Sequence, residues 1–494
     1  MKVFGRLRDF VSSGTSQLRR RFSIHQVQNP MDCLPNEILV AIFSELIFDP
    51  REDPAFITTI SQVCSRWRAL SISTPALWTR IFVPFPADKG QLGLLARCLE
   101  RSQAQPLSIQ VDVRDNQWEW EEEDHRFDEE RMETIARMCM PHASRWDRLE
   151  VLTDTWAPMW TFLGESRRIQ YCSLNSVSLQ RCNAYFAAHG QEFEPESLRE
   201  PLVLFGGAHL TNLRSVTLVG VHVDWDNSPL QNLHCLELKY HASDVMPTLS
   251  QFVNILNRCP DLQELAVIGW GPIIDQVPDN SIHGSITLPC VTKFSFGFIN
   301  PAYSTTLLSM FQLPSLRKLY LEGVTKMVEP FGDHDSSQYL QWLYTTQPNP
   351  PSSSHSWPRN QIPIQQVCEL ELRSIISDTT HFARLFACFP SLSSLTLDDV
   401  PDYALDVLSH EPDSGFAVCP SLATLLVRDN DPWRLLIVVS SRLVSPHTAN
   451  VENATLECVN YARPAADSDM AERMRIFGVS LAGPLSEGES SDSE

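Results

Sequence analysis

A frame of apolar positions spaced L-x-x-L-x-L recurs through the middle and the C-terminal half of the chain. Clear copies are Leu213, Val216, Leu218; Leu233, Leu236, Leu238; Leu262, Leu265, Val267; and Val291, Phe294, Phe296. The series continues with Leu316, Leu319, Leu321; Val367, Leu370, Leu372; Leu392, Leu395, Leu397; and Leu422, Leu425, Val427. An earlier copy starts at Trp146 (with Leu149 and Val151), and a degenerate one is expected near Ile169. Counted on the middle position, the steps run from 20 to 30 residues, apart from one of 51 that reads as two periods with a copy obscured. Within each frame the last apolar pair alternates with polar residues, which predicts a short strand with one buried face. Between frames the apolar spacing changes to three and four, as in Leu249, Phe252, Val253 and Leu256, and predicts helices over 245–259, 302–313 and 379–389. Each helical stretch stops before a proline, which cannot continue a helix and biases the residue ahead of it away from helical angles. The N-terminal pattern is different. Ile38, Leu39, Ile42, Phe43, Leu46 and Ile47 form a wide helical stripe, with Pro35 expected at the first helical position and Glu37 in the first turn. Phe56, Ile60, Val63, Cys64, Trp67 and Leu70 repeat at three and four for a second helix, and Leu77 and Trp78 close the unit.

A period of 20 to 30 residues with this frame is the signature of a leucine-rich repeat, in which neighbours stack because no single copy buries its own core. The expected fold class is α/β, a short helical unit followed by an irregular repeat solenoid. A doubly wound α/β domain also alternates helix and strand and is the alternative. In a solenoid the polar strand positions line one face. They include Glu237 and Lys239, Tyr320 and Glu322, Glu371 and Arg373, Asp398 and Arg428, which are the candidate surface for a protein target. That row mixes signs and carries an aromatic, the composition of a partner surface and not of a catalytic cleft.

The N-terminal helices are too small to be stable alone, and an all-round apolar first helix in such a unit implies a face kept for a partner. Residues 34–81 resemble the F-box, through Leu34-Pro35-Asn36-Glu37-Ile38-Leu39, Ile42-Phe43, Val63-Cys64 with Trp67, and Pro75 with Leu77-Trp78. The connector over 48–56 is longer than the family's and rich in Pro, Asp and Glu. The resemblance implies docking on a Skp-family adaptor and, through it, a cullin, with Leu34, Pro35, Ile38, Leu39, Val63, Cys64 and Trp67 touching the adaptor. Phe43 and Leu46 are expected to pack inside the unit. The chain would then be the substrate-recognition subunit of a Skp–cullin–F-box ubiquitin ligase. The alternative is a scaffold that uses the same helices without assembling a ligase.

Composition narrows this further. The 494 residues carry a formal charge of −21, which argues against nucleic acid and anionic membranes as partners. No apolar run is long enough for a membrane span, and thirteen scattered cysteines fit reduced thiols, so a cytoplasmic and/or nuclear place is expected. Asn453-Ala454-Thr455 matches a glycosylation pattern that has no use there. The expected domains are a basic disordered arm at 1–30, the F-box at 31–83, the repeats at 84–465 with insertions near 119–131 and 329–363, and an acidic disordered tail at 466–494. The arm's arginines also suit a targeting helix or a nuclear or surface-binding patch. In the tail, Ser486 and Ser491 each have Glu three residues on, which suits an acidophilic kinase. Candidate chemistry is thin: His334-Asp335-Ser336 lies in an expected loop, Cys139 and His142 lack a second metal-binding pair, and no phosphate-binding glycine loop occurs. Trp118, Trp120, Trp156 and Trp160 are expected to pack a core. No catalytic residue, metal or cofactor is expected, and the chain is expected not to be an enzyme.

Overall fold

The computed structural model describes residues 31, 34–48, 56–118, 125–169, 173–181, 196–274, 286–328, 334–345, 362–409, 418–444, 449–459, 464 and 468–482. The basic arm, Ser486 and Ser491 of the acidic tail and the acidic run at 119–124 lie outside these residues, as does most of the 329–363 insertion. The chain forms two compact units, residues 1–77 and 78–494, so the division falls slightly before the expected boundary at 83.

The first unit holds α1 (Asn36–Phe48), α2 (Phe56–Val63) and α3 (Ser65–Ser73). Leu39, Phe43 and Ile47 recur every four residues on the inner side of α1 and are buried, as are Phe56, Ile57 and Ile60 of α2. Pro35 sits one position earlier than expected: its carbonyl accepts the Leu39 N–H at 3.2 Å, so it precedes the helix as its cap.

The second unit is built on a 14-stranded parallel sheet whose order follows the chain, with no reversal. Its strands are β1 (Arg80–Pro84), β2 (Leu107–Asp112), β3 (Trp146–Thr153), β4 (Ser176–Arg181), β5 (Ser215–Val219), β6 (Cys235–Lys239) and β7 (Glu264–Gly269). They continue as β8 (Lys293–Phe298), β9 (Lys318–Gly323), β10 (Glu369–Arg373), β11 (Ser394–Asp398), β12 (Thr424–Arg428), β13 (Asn453–Glu457) and β14 (Val479–Ala482). Every apolar position of the eight clear frames is 2% exposed or less, so the frame is the core. Using 25 cal/mol per Å², each such side chain contributes about 2 kcal/mol of transfer free energy, which explains why stacking is obligatory.

The connections return through helices. Among them are α4 (Lys89–Arg101), α5 (Glu129–Cys139), α6 (Trp156–Ser166), α7 (Leu249–Asn257), α8 (Pro301–Leu308) and α9 (Ser337–Tyr344). The series ends with α10 (Thr379–Ala387), α11 (Tyr403–Ser409), α12 (Pro432–Val444) and α13 (Asp469–Ile476). Polar caps start them where the sequence provides one: Asp88 and Thr248 form capping boxes with Gln91 and Gln251, and Asp378 accepts the His381 N–H at 2.9 Å. Neighbouring helices pack in succession, α9 on α10, α10 on α11 and α11 on α12.

Two backbone devices repeat with the frame. The carbonyl just before one strand accepts two consecutive N–H groups entering the next, as Arg214 does from His234 and Cys235, and Ser393 from Ala423 and Thr424. Tyr240, Ser374, Asp399 and Asp429, each directly after its strand, adopt positive φ and turn the chain off the sheet.

Several expectations need correction. In the 51-residue step no further strand enters the sheet among the described residues, because β9 pairs directly with β10 and the intervening chain carries α9. The degenerate copy is not at Ile169 but in β4, through buried Val177 and Leu179. Strands β1, β2, β13 and β14 extend the sheet beyond the clear frames, and α13 with β14 occupies residues assigned to a disordered tail. The predicted helices over 245–259 and 302–313 are shorter, because a 3₁₀ turn takes 243–245 and strand-like backbone takes 311–312.

Candidate functional site

Two surfaces carry the residues singled out above, one in each unit. In the helical unit, the outer side of α1 leaves Ile38 47% and Ile42 37% exposed. Val63, at the end of α2, is 52% exposed, and Ile72 of α3 is 43% exposed. Pro35 and Cys64 are also exposed, while Leu34 and Trp67 are half-buried. Large apolar side chains in water are ordinary one at a time, but so many in a unit this small mark a surface kept for a partner.

Local chemistry holds this arrangement. Cys64 separates α2 from α3 and caps the latter, its Sγ accepting the Trp67 N–H at 3.4 Å. Trp67 meets Phe43 edge-on with centroids 4.8 Å apart, which joins α3 to α1. Arg66 points back to the start of α1, donating to Asn36 Oδ1 at 2.8 Å and to the Leu34 carbonyl. One expected adaptor contact is displaced: Leu39 is fully buried and packs the unit, because it lies one residue round from Ile38 and shares the inward side with Phe43. Ile42 and Ile72 were missed, although Ile42 follows Ile38 by one helical turn. Arg66 was missed too, since only the fold shows that an arginine in the first turn of α3 reaches back to the start of α1.

The second surface is the polar face of the sheet. Its rows fall in register from β5 to β12. Thr217, Glu237, Ala266, Ser295, Tyr320, Glu371, Thr396 and Leu426 form one; Val219, Lys239, Ile268, Gly297, Glu322, Arg373, Asp398 and Arg428 form the other. On β13, Glu457 extends the second row.

The middle of this face is not open. Ile268, Ile299 and Val324 bury one another there, rimmed by the partly buried rings of Tyr240, Trp270 and Tyr320. Gly297 lies beneath: a Cβ on it would come within 2.5 Å of Ile268 Cγ2. Glu322, expected to be exposed, is 2% exposed. It accepts from Tyr240 Oη at 2.9 Å and Tyr320 Oη at 2.8 Å, with Arg373 Nε 3.9 Å away. Those hydrogen bonds replace the water a buried carboxylate loses. Burial, together with the Glu322 charge, pushes the Tyr240 and Tyr320 hydroxyls well above the usual phenol range, so both remain donors.

Toward β13 the face is polar and interlocked. Arg373 Nε lies 3.5 Å from Asp398, while Arg428 reaches Glu371 at 3.5 Å, Asp398 at 3.2 Å and Glu457 at 2.6 Å. Lys239 pairs with Glu237 at 2.8 Å. Carboxylates therefore outnumber cations along these rows, with Glu237, Glu322, Glu371, Asp398 and Glu457 against Lys239, Arg373 and Arg428.

The candidates for chemistry do not converge. Asp335 accepts from Ser337 N–H at 3.0 Å, and Ser336 is buried. Cys139 is buried and its thiol is pushed up to about 12 by burial, the opposite of a reactive thiolate. Among the described residues no group of three His, Cys, Asp or Glu side chains is placed to hold a metal ion. A shallow hollow of about 450 Å³ is lined by Phe82, Phe85, Asp112, Arg114, Asp115 and Arg126 among others. Its arginines are ion-paired, Arg114 to Asp112 and Arg126 to Asp115, each at 2.6 Å.

Comparison with known proteins follows the same division. Residues 31–84 match the family described as F-box-like. The chain therefore carries an F-box-like domain at its helical unit. No curated protein matches the chain. Among solved structures, the chain is similar to one described as the crystal structure of the Rad7 and Elc1 complex in yeast, at 13% identity and a TM-score of 0.31. That likeness covers 67% of this chain and 83% of the other. Among the described residues, no helix is long and apolar enough to cross a membrane.

Proposed function

We propose that the chain is a non-catalytic receptor subunit of a ubiquitin ligase. The F-box-like domain docks a Skp-family adaptor and, through it, a cullin. The parallel-sheet unit, which we read as an irregular leucine-rich-repeat solenoid, holds a protein target. In this reading the chain makes and breaks no bond: it holds a target lysine at high effective concentration near ubiquitin carried by a partner. It works in the cytoplasm and/or the nucleus.

The observation that carries the proposal is the exposed set Ile38, Ile42, Val63 and Ile72 within a domain that matches the F-box-like family. Burying such side chains at an interface releases about 1.5–3 kcal/mol each, before the costs of association. The test is co-purification of the tagged full-length chain from cells. Recovery of both a Skp-family adaptor and a cullin is the expected result. Recovery of the adaptor without any cullin replaces the ligase with a scaffold, and recovery of neither rejects the docking role.

A further inference from the structure

Resting on the reading of the sheet as a target-holding surface, we propose that it takes a basic, unphosphorylated protein segment. The segment lies across the rings of Tyr240, Trp270 and Tyr320 and sends cationic side chains toward Glu371, Asp398 and Glu457.

Three observations support this choice. The rings stand on a buried platform of Ile268, Ile299 and Val324, so they offer a firm, partly exposed aromatic surface in the middle of the face. Rigid aromatic anchors of this sort contribute most of the energy at protein interfaces, and their faces attract cations. Next, the cations of the rows are already committed. Arg428 is shared among three carboxylates, Arg373 lies between Glu322 and Asp398, and Lys239 is held by Glu237. A phosphate or carboxylate on the target would have to break those pairs while meeting the surplus of negative charge. An incoming lysine or arginine relieves that surplus without breaking anything. Finally, burial holds the Glu371 carboxyl above the usual carboxylate range, with Asp398 adding to the effect against the pull of Arg428. A further cation beside Glu371 offsets that cost. The whole chain, at −21, attracts a basic segment from a distance as well.

The experiment uses the full-length chain co-expressed with its adaptor, and randomised peptides immobilised in three classes. These are lysine- and arginine-rich peptides with interspersed leucine, the same peptides carrying phosphoserine, and glutamate-rich peptides. The basic class is expected to be retained, and retention should weaken as salt is raised. The pair Glu371→Lys with Glu457→Lys, and separately Trp270→Ala, should each reduce it about tenfold or more. Glu371→Gln with Glu457→Gln should give an intermediate loss. Adaptor capture and circular dichroism report that each variant is folded. Retention of the phosphoserine class instead, lost with Trp270→Ala, overturns the charge assignment while leaving the sheet as the target surface. Basic peptides held equally by wild type and all variants, or no retention of the basic class, overturn the proposal.

Discussion

Isoleucine is used in two opposite ways in this chain. In the helical unit Ile38, Ile42 and Ile72 are 37–47% exposed, whereas Ile81, Ile109 and Ile268 of the sheet are each 5% exposed or less. The difference follows from how each unit is completed. An inner strand of the long sheet finds a neighbour on either side, and the helices cover its apolar frame. Among the described residues, the three short helices bury the apolar side chains of Leu39, Phe43, Ile47, Phe56, Ile57 and Ile60. The two surfaces differ accordingly: α1–α3 present an apolar one, the face of the sheet a polar one with an aromatic centre.

The comparison breaks most visibly where the sheet's frame is damaged. Leu395, 0% exposed in β11, changed to Ala should destabilise the sheet unit by about 2–5 kcal/mol, read as a lower urea midpoint of the full-length chain. Should the midpoint stay, the frame is not the core.

A second effect comes from acid. Burial lowers His222 and His241 from 6.5 to about 4 each, while Trp156 stacks on His222 with centroids 4.6 Å apart and each imidazole Nε2 bonds a carbonyl. Above pH 6.5 both histidines are neutral whether the chain is folded or not, and they add no pH dependence. Between 6.5 and about 4 the unfolded chain binds protons that the folded one refuses, so stability falls as pH drops through that window. The loss is up to about 3 kcal/mol per histidine. Unfolding followed against pH checks it, and His222→Gln should flatten part of the slope.

Much of the sheet was legible because its frame is a repeat of apolar residues, and repetition survives individual exceptions. The register of the polar rows was legible too, since a period of two leaves one choice once the buried positions are known. Copies such as Ile109 with Val111, where Pro106 takes the leading position, or Ala454 with Leu456, where the middle position is alanine, were not visible. Nor was the inserted chain between β9 and β10, because length alone does not distinguish an insertion from a missing copy. Glu322 was misjudged for a different reason. Its row position is polar, but the hydroxyl that helps bury it comes from Tyr240, 82 residues away. In the helical unit the apolar stripe was visible all round, and only packing shows that Leu39 faces in and Ile38 out.

The most direct measurement concerns that last distinction. Ile38→Asp combined with Val63→Asp replaces two side chains that are 47% and 52% exposed, so stability should change by no more than about 0.5 kcal/mol per site. Circular dichroism and the urea midpoint should therefore match wild type, while capture of a Skp-family adaptor by the full-length chain is lost. Capture at the wild-type level by this folded variant would contradict the assignment of the exposed apolar surface as the docking site.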